Sequence, residues 1–198
     1  MGVSLVTAPT VEPVTLSEAR GQVSVVTADI DAQLAAWVTA SRLTVERHSG
    51  LKLITQTWDC ASDAFPTCRD AIVLPLAPLQ SVTSVTWYDD AEVPTVVDPT
   101  TYVVDRISSR PRIALRQGKS WPTGVLRAVN GVVVRAVFGF GPAPADVAKV
   151  AEPLRTAMLL LIGHLEAHPD AVNIGNVVTQ LPLGFEMLVR TCRRELLA

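Results

Sequence analysis

From Leu51 to about Phe140 the chain alternates short β-branched runs, "KLITQTWDCA", "DAIVLP", "QSVTSVTWYD", "TYVVD", "PRIALR" and "GVVVRAVFGF", with Pro-, Gly- and Asp-rich pieces. Those pieces are too brief to hold crossover helices. Parallel neighbours would need a dozen or more residues between them, so these strands pair antiparallel. "DDAEVP" and "DPTT" supply bends, because an Asp side chain bonds amides just ahead of it. This restriction sets the class: α+β, with an antiparallel β-rich part between helical segments.

The helices lie on either side of that part. "VTLSEARGQV" sets Thr15 three residues before Glu18, the spacing of a capping box that opens a short helix. "TADIDAQLAAWVTASRLTVERHSG" then brings Ile30, Leu34, Trp37, Val38, Ser41, Val45 and His48 round at three- and four-residue steps, with Asp29 as the cap and Gly50 as the stop. Trp37 reads as a core residue. Beyond the strands, "EPLRTAMLLLIGHLEAH" is helical to about Pro169, and Pro153 suits a first turn, where its missing amide has no partner to lose. "PDAVNIGNVVTQLP" has no clear period and reads as a loop that orders against a partner. "LGFEMLVRTCRRELLA" closes the chain with Phe185, Leu188, Cys192 and Leu196 on one stripe, opposite Glu186, Arg190 and Arg194. The organisation expected is one domain over 1–198: helices in 15–50, β-rich 51–141, helix 145–169, loop 170–182, terminal helix 183–198.

Length and charge narrow the function. A chain of 198 residues supports one good core. Charged residues are only 18% of it, so part of the uncharged surface is expected to be covered by other protein. A net charge of −2 without long runs gives no footprint for gripping a phosphate backbone. No secretion signal or membrane span is expected, because "AMLLLIG", the longest greasy run, is too short to cross a bilayer. Cys60, Cys68 and Cys192 fit no metal spacing and read as small buried hydrophobes in a reducing compartment.

Chemical constellations are weak throughout. Gly139, Phe140 and Gly141 start a dinucleotide fingerprint, but the third glycine position is Pro144 and Pro142 intervenes; proline has no amide to offer a phosphate. The glycines read instead as a sharp corner between the last strand and a helix. His164 and His168 share a helix face, yet Leu165 stands where a zincin has Glu, and no third ligand is apparent. Asp89 and Asp90 sit at a turn tip where both meet the same water, which is no basis for acid–base division of labour. Trp58, Trp87 and Trp121 have few basic residues beside them and read as core or interface anchors. No catalytic residue, cofactor site or metal site is expected.

The order of elements carries a resemblance. "EPVTLSEAR", "DIDAQLAAWVTASRLTVERHSG", "LITQTWD", "LPLAPLQSVTSVTWYDD", "YVVD", "SWP", "VRAVFGFG", the helix entered through Pro153 and "LPLGFEMLVRTCRREL" together resemble the head-to-tail connector, or adaptor, proteins of long-tailed bacteriophages and gene transfer agents, over almost the whole chain. The departure is "IGHLEAHPDA", which lacks the aromatic and Arg residues expected at that helix end. The resemblance implies a virion structural protein without enzymatic activity, assembled in the bacterial cytoplasm, whose fold is a helical bundle carrying an inserted antiparallel β-rich part. It also implies a homo-oligomer, a dodecameric ring that binds the portal protein and joins it to a stopper or tail terminator protein. DNA would pass through the channel without sequence-specific binding.

For partner contact the expected residues are Phe185 and Leu188 as apolar anchors, with Arg190, Arg193 and Arg194 meeting acidic groups on the portal. Deleting everything after Pro182 is expected to leave a folded domain that no longer joins portal rings. Two other readings stay open: another virion component, such as a tail terminator or minor capsid protein, and a small soluble enzyme whose few His and paired acids would have to converge.

Overall fold

Why the β-rich stretch folds as it does is clearest at "VVVRAVF". In a computed structural model, which describes residues 1–23, 30–67, 71–167 and 183–192, this run alternates buried and exposed side chains as a strand with one face on a core must. The chain divides into two compact units. One holds Met1–Pro9 and Thr55–Phe140; the other holds Thr10–Ile54 and Gly141–Ala198.

The first unit contains every strand: β1 (Gly2–Thr7), β2 (Gln56–Ser62), β3 (Ile72–Val73), β4 (Leu79–Tyr88), β5 (Pro94–Val96), β6 (Tyr102–Asp105), β7 (Arg112–Leu115) and β8 (Val132–Phe138). They form a five-stranded sheet, β1-β2-β8-β4-β5, and a three-stranded sheet, β3-β7-β6. All pairings are antiparallel. Val132, Val134, Ala136 and Phe138 of β8 join Cys60, Val85, Ile72, Ile113 and Tyr102 in one buried cluster drawn from both sheets. On the other side of β8, Arg135 makes a two-pronged pair with Asp59, directly opposite on β2, at 2.8 Å for each contact. Burial pushes the Cys60 thiol up to about 12, so it acts as a small hydrophobe.

Turn chemistry follows the expected Asp positions. Asp89 accepts the Val93 amide at 2.8 Å, and Asp98 accepts the Thr100 amide at 2.8 Å. Gln80 sends its amide nitrogen to Thr55 Oγ1 (2.8 Å) and to the Gly139 carbonyl (2.9 Å), tying together the places where the chain enters and leaves this unit.

The second unit holds α1 (Leu16–Val23), α2 (Asp31–Ser49), α3 (Pro144–Ala167) and α4 (Leu183–Cys192), with α3 packed against each of the other three. The capping box at α1 is formed: Thr15 N donates to Glu18 Oε2 at 2.8 Å and Glu18 N donates to Thr15 Oγ1 at 3.2 Å. These Thr15 bonds, with Arg155 nearby, hold the Glu18 carboxyl below its ordinary value against the raising effect of burial. Gly50 ends α2 at φ 74° and returns its amide to the Glu46 carbonyl; the expected cap, Asp29, lies outside the described residues.

The glycine corner is a corner. Gly139 sits at φ 126°, and a Cβ on Gly141 would collide with the Asp146 side chain, which caps α3 by accepting the Ala143 amide at 3.1 Å. The helix starts at Pro144, breaks at Ala151 (φ −137°, ψ 40°), and resumes with Pro153 in the first turn after the break.

Four features depart from expectation. β1 and β5 are not apparent in the sequence: β1 becomes a strand through its distant partner β2, and β5 is three residues that begin at a Pro. Trp37 is half-buried, outside the core, and His48 is exposed. Arg42 and Glu46 are buried on α2 although nothing in the periodicity marks them.

Candidate partner-binding surfaces

Helix α4 carries most of the residues expected to meet a partner. Its sequence puts Phe185 and Val189 one turn apart, and both are buried, at 0% and 3% exposure. The Phe185 ring meets the His48 ring edge-on, with centroids 5.6 Å apart and planes at 86°. Phe185 is therefore spent inside its own unit, holding α4 against α2 and α3. Leu188 is half-buried, Glu186 and Arg190 are exposed, and Met187 is 71% exposed. Arg193 and Arg194 lie outside the described residues. The face α4 offers outward is thus Met187 with Glu186 and Arg190, and Met187 escaped notice because it sits one place past Glu186, on the polar side.

Along α2 the unit holds buried charge. Glu46, with a side chain 1% exposed, accepts the Leu53 amide at 3.0 Å and pairs with Lys52 at 3.2 Å; Arg42 lies 3.7 Å from it. Arg42 in turn binds Glu12 at 2.7 Å, and Thr39 Oγ1 donates to the same carboxylate at 3.0 Å. Two acids face two bases, so the group is neutral and its members satisfy one another. Arg155 does the same job further along, donating to the Pro13 carbonyl (2.8 Å), Glu152 (2.9 Å) and Glu18 (2.5 Å).

In the strand unit the two ends of the large sheet are uncovered. All six residues of β1 are exposed, Val3, Leu5 and Val6 among them, and none carries a charge. At the opposite end β5 is exposed along its length, with Val96 at 60%. Beside β5 an open cavity of about 430 Å³ is lined by Trp87, Thr95, Val96, Ser120, Trp121 and Thr123. Trp121 stacks on Phe65 (5.0 Å, 9°), yet its indole N–H is buried without an acceptor. Trp87 and Trp58 are half-buried against the core, Trp58 donating to Gln56 at 2.9 Å.

Among the described residues the acids and histidines singled out above do not gather at one place. Asp89 is used in its turn, Asp90 is exposed, and His164 is half-buried on α3; His168 lies outside the described residues. Among the described residues no three His, Cys, Asp or Glu side chains gather as metal ligands would, and no described helix is long and apolar enough to cross a membrane.

No protein-family model matches the chain, and no curated protein matches it. Solved structures do. One similar chain comes from the neck of an empty GTA particle computed with C6 symmetry: 25% identity, 98% of this chain, 95% of that chain, TM-score 0.77. A second is in the virion of the native gene transfer agent (GTA) particle, at 24% identity and TM-score 0.75. A third is in the neck of the native GTA particle computed with C12 symmetry, at 24% identity and TM-score 0.76. The latter two also cover 98% of this chain and 95% of theirs.

Proposed function

We propose that this chain is a head-to-tail adaptor, a structural protein of the neck of a gene transfer agent or related tailed particle. The observation that carries this is the TM-score of 0.77 over 98% of the chain with a GTA neck protein, at nearly the full length of both. It is a component of the virion and acts by assembly; its similarity is to neck structural components rather than to enzymes.

The similar necks are cyclic, with C6 and C12 symmetry, which supports assembly of this chain as a ring. A ring needs two different patches on each subunit and a rotation that closes. Twelve copies is the stoichiometry we favour, with the helices of each copy forming a bundle. The portal is the partner above, a stopper or tail terminator the partner below, and DNA crosses the bore without base recognition. The near-neutral composition suits that passage, because a strongly basic wall would bind phosphates and retard sliding.

The portal contact falls to α4 and its continuation. Leu188 serves as an apolar anchor and Arg190, Arg193 and Arg194 meet acidic groups on the portal, while the buried Phe185 keeps the helix in place. Removal of everything after Pro182 is consequently a poor test, since it strips Phe185 and Val189 from the core along with the arginines. The better experiment is Arg190→Glu with Arg193→Glu, mixed with portal rings and followed by sedimentation. The expected outcome is an unchanged melting curve with loss of co-sedimentation. Full binding by the double variant would move the portal contact off α4, and failure of the unaltered chain to bind any portal would remove the adaptor reading.

A further inference from the structure

We infer that neighbouring copies join edge to edge through the large sheet, with β1 of one copy added beside β5 of the next. This rests on the ring reading above and names the surface that closes the ring.

The sheet order and pairings require it to be possible. Along β1-β2-β8-β4-β5 every step is antiparallel, so the two end strands run the same way. A second copy advanced along the sheet therefore presents its β1 parallel to the first copy's β5, and repeated rotation continues the same relation. The two edges are the different but matching patches that a head-to-tail ring demands.

Each edge is prepared for this in its own way. β1 is lightly guarded as an edge strand: it has six residues, no Pro and no charge, with Val3, Leu5 and Val6 exposed, and its register shifts only near its end, between Leu5 and Thr7, which leaves Gly2–Leu5 as the regular stretch for pairing. At the other end Val97 N bonds Val85 O and Asp89 N bonds Val93 O, so Val93, Thr95 and Val97 are turned toward β4. By alternation the amide and carbonyl of Val96 and the carbonyl of Pro94 face outward, enough for a short parallel ladder. Pro94 has no amide to give, which limits that ladder to a few bonds and leaves side chains to set the register. The cavity between Trp87 and Trp121 supplies a place for one β1 side chain, and the acceptor-less Trp121 N–H beside it marks a polar need that the free chain leaves unmet.

Strand spacing sets the size such a ring would have. Five strands at about 4.8 Å spacing advance about 24 Å per copy, so twelve copies, the symmetry of one similar neck, make a band about 290 Å round and about 90 Å across.

The test uses the full chain with Cys68 and Cys192 changed to Ser, alone and mixed with portal rings. Ser4→Cys is combined with Val96→Cys, and separately with Thr95→Cys, then mildly oxidised and run without reductant. The expected result is a ladder rising from dimer toward the full ring in at least one double variant, with single variants stopping at dimer. Leu5→Lys should keep its circular dichroism and lose rings, or need about tenfold more protein to make them. Rings in native mass spectra with no ladder, or rings undiminished by Leu5→Lys, overturn the edge pairing while sparing the adaptor reading. A parent chain that forms no ring under either condition overturns both.

Discussion

Phe185→Ala separates a residue that touches the portal from one that holds the helix touching it. The ring is fully buried, packed edge-on to His48 and flanked by Val189 on the same helix face. Burying a phenyl ring is worth about 2–3 kcal/mol in transfer alone. The void left between α2, α3 and α4 closes only in part, which brings the expected loss to about 3–5 kcal/mol. Because the strands form a separate compact unit, urea unfolding followed by circular dichroism at two wavelengths should show the helical transition moving to lower denaturant while the strand transition stays. Arg190→Glu should shift neither. An unfolding curve unchanged by Phe185→Ala, together with lost portal binding, would put the ring on the partner's surface and refute the reasoning.

Arg42→Ala removes the cation that Glu12 binds and that lies beside the buried Glu46, and should cost about 1.5–3 kcal/mol in the same unfolding assay; Glu46→Gln, which keeps an acceptor for the Leu53 amide, should cost less. Gly141→Ala pushes against the Asp146 side chain that caps α3, and a loss of about 1–2 kcal/mol is expected, read as a lower melting temperature. Asp105 is held at about 2 by the Ser108 hydroxyl and amide, the Ile107 amide and Arg112. With the folded value below the unfolded one, its contribution is complete above the ordinary carboxylate range and disappears as pH falls through about 2. In a carboxyl-detected NMR titration Ser108→Ala should bring Asp105 back toward its ordinary value.

Legibility in the sequence followed the range of the interaction responsible. The Thr15–Glu18 box, the Gly50 stop, the Asp89 and Asp98 turns and the glycine corner are settled by neighbours within a few residues, so their residue types announce them. Six of the strands could be read from β-branched alternation. β1 could not, because "GVSLVT" becomes a strand only by pairing with β2 more than fifty positions on, and β5 is three residues following a turn. Arg42 and Glu46 look like surface charges until Glu12 and Lys52 are folded onto them. On α4 the apolar stripe was visible, but periodicity cannot tell a face that meets a partner from one that meets its own domain. That distinction decided the fate of Phe185.

The sheet order also dictates when each part of the molecule can come into being. β2 is flanked by β1 and by β8, whose last residue is Phe138, so on the ribosome the N-terminal strand is made early and the large sheet is finished only after about two-thirds of the protein has emerged. The helices wait longer still, since α1 and α2 both rest on α3, which begins at Pro144. Synthesis thus completes the strand unit before the helical unit, and the apolar flanks of the first two helices stay uncovered through most of translation, a window in which a holding chaperone would have the most to protect.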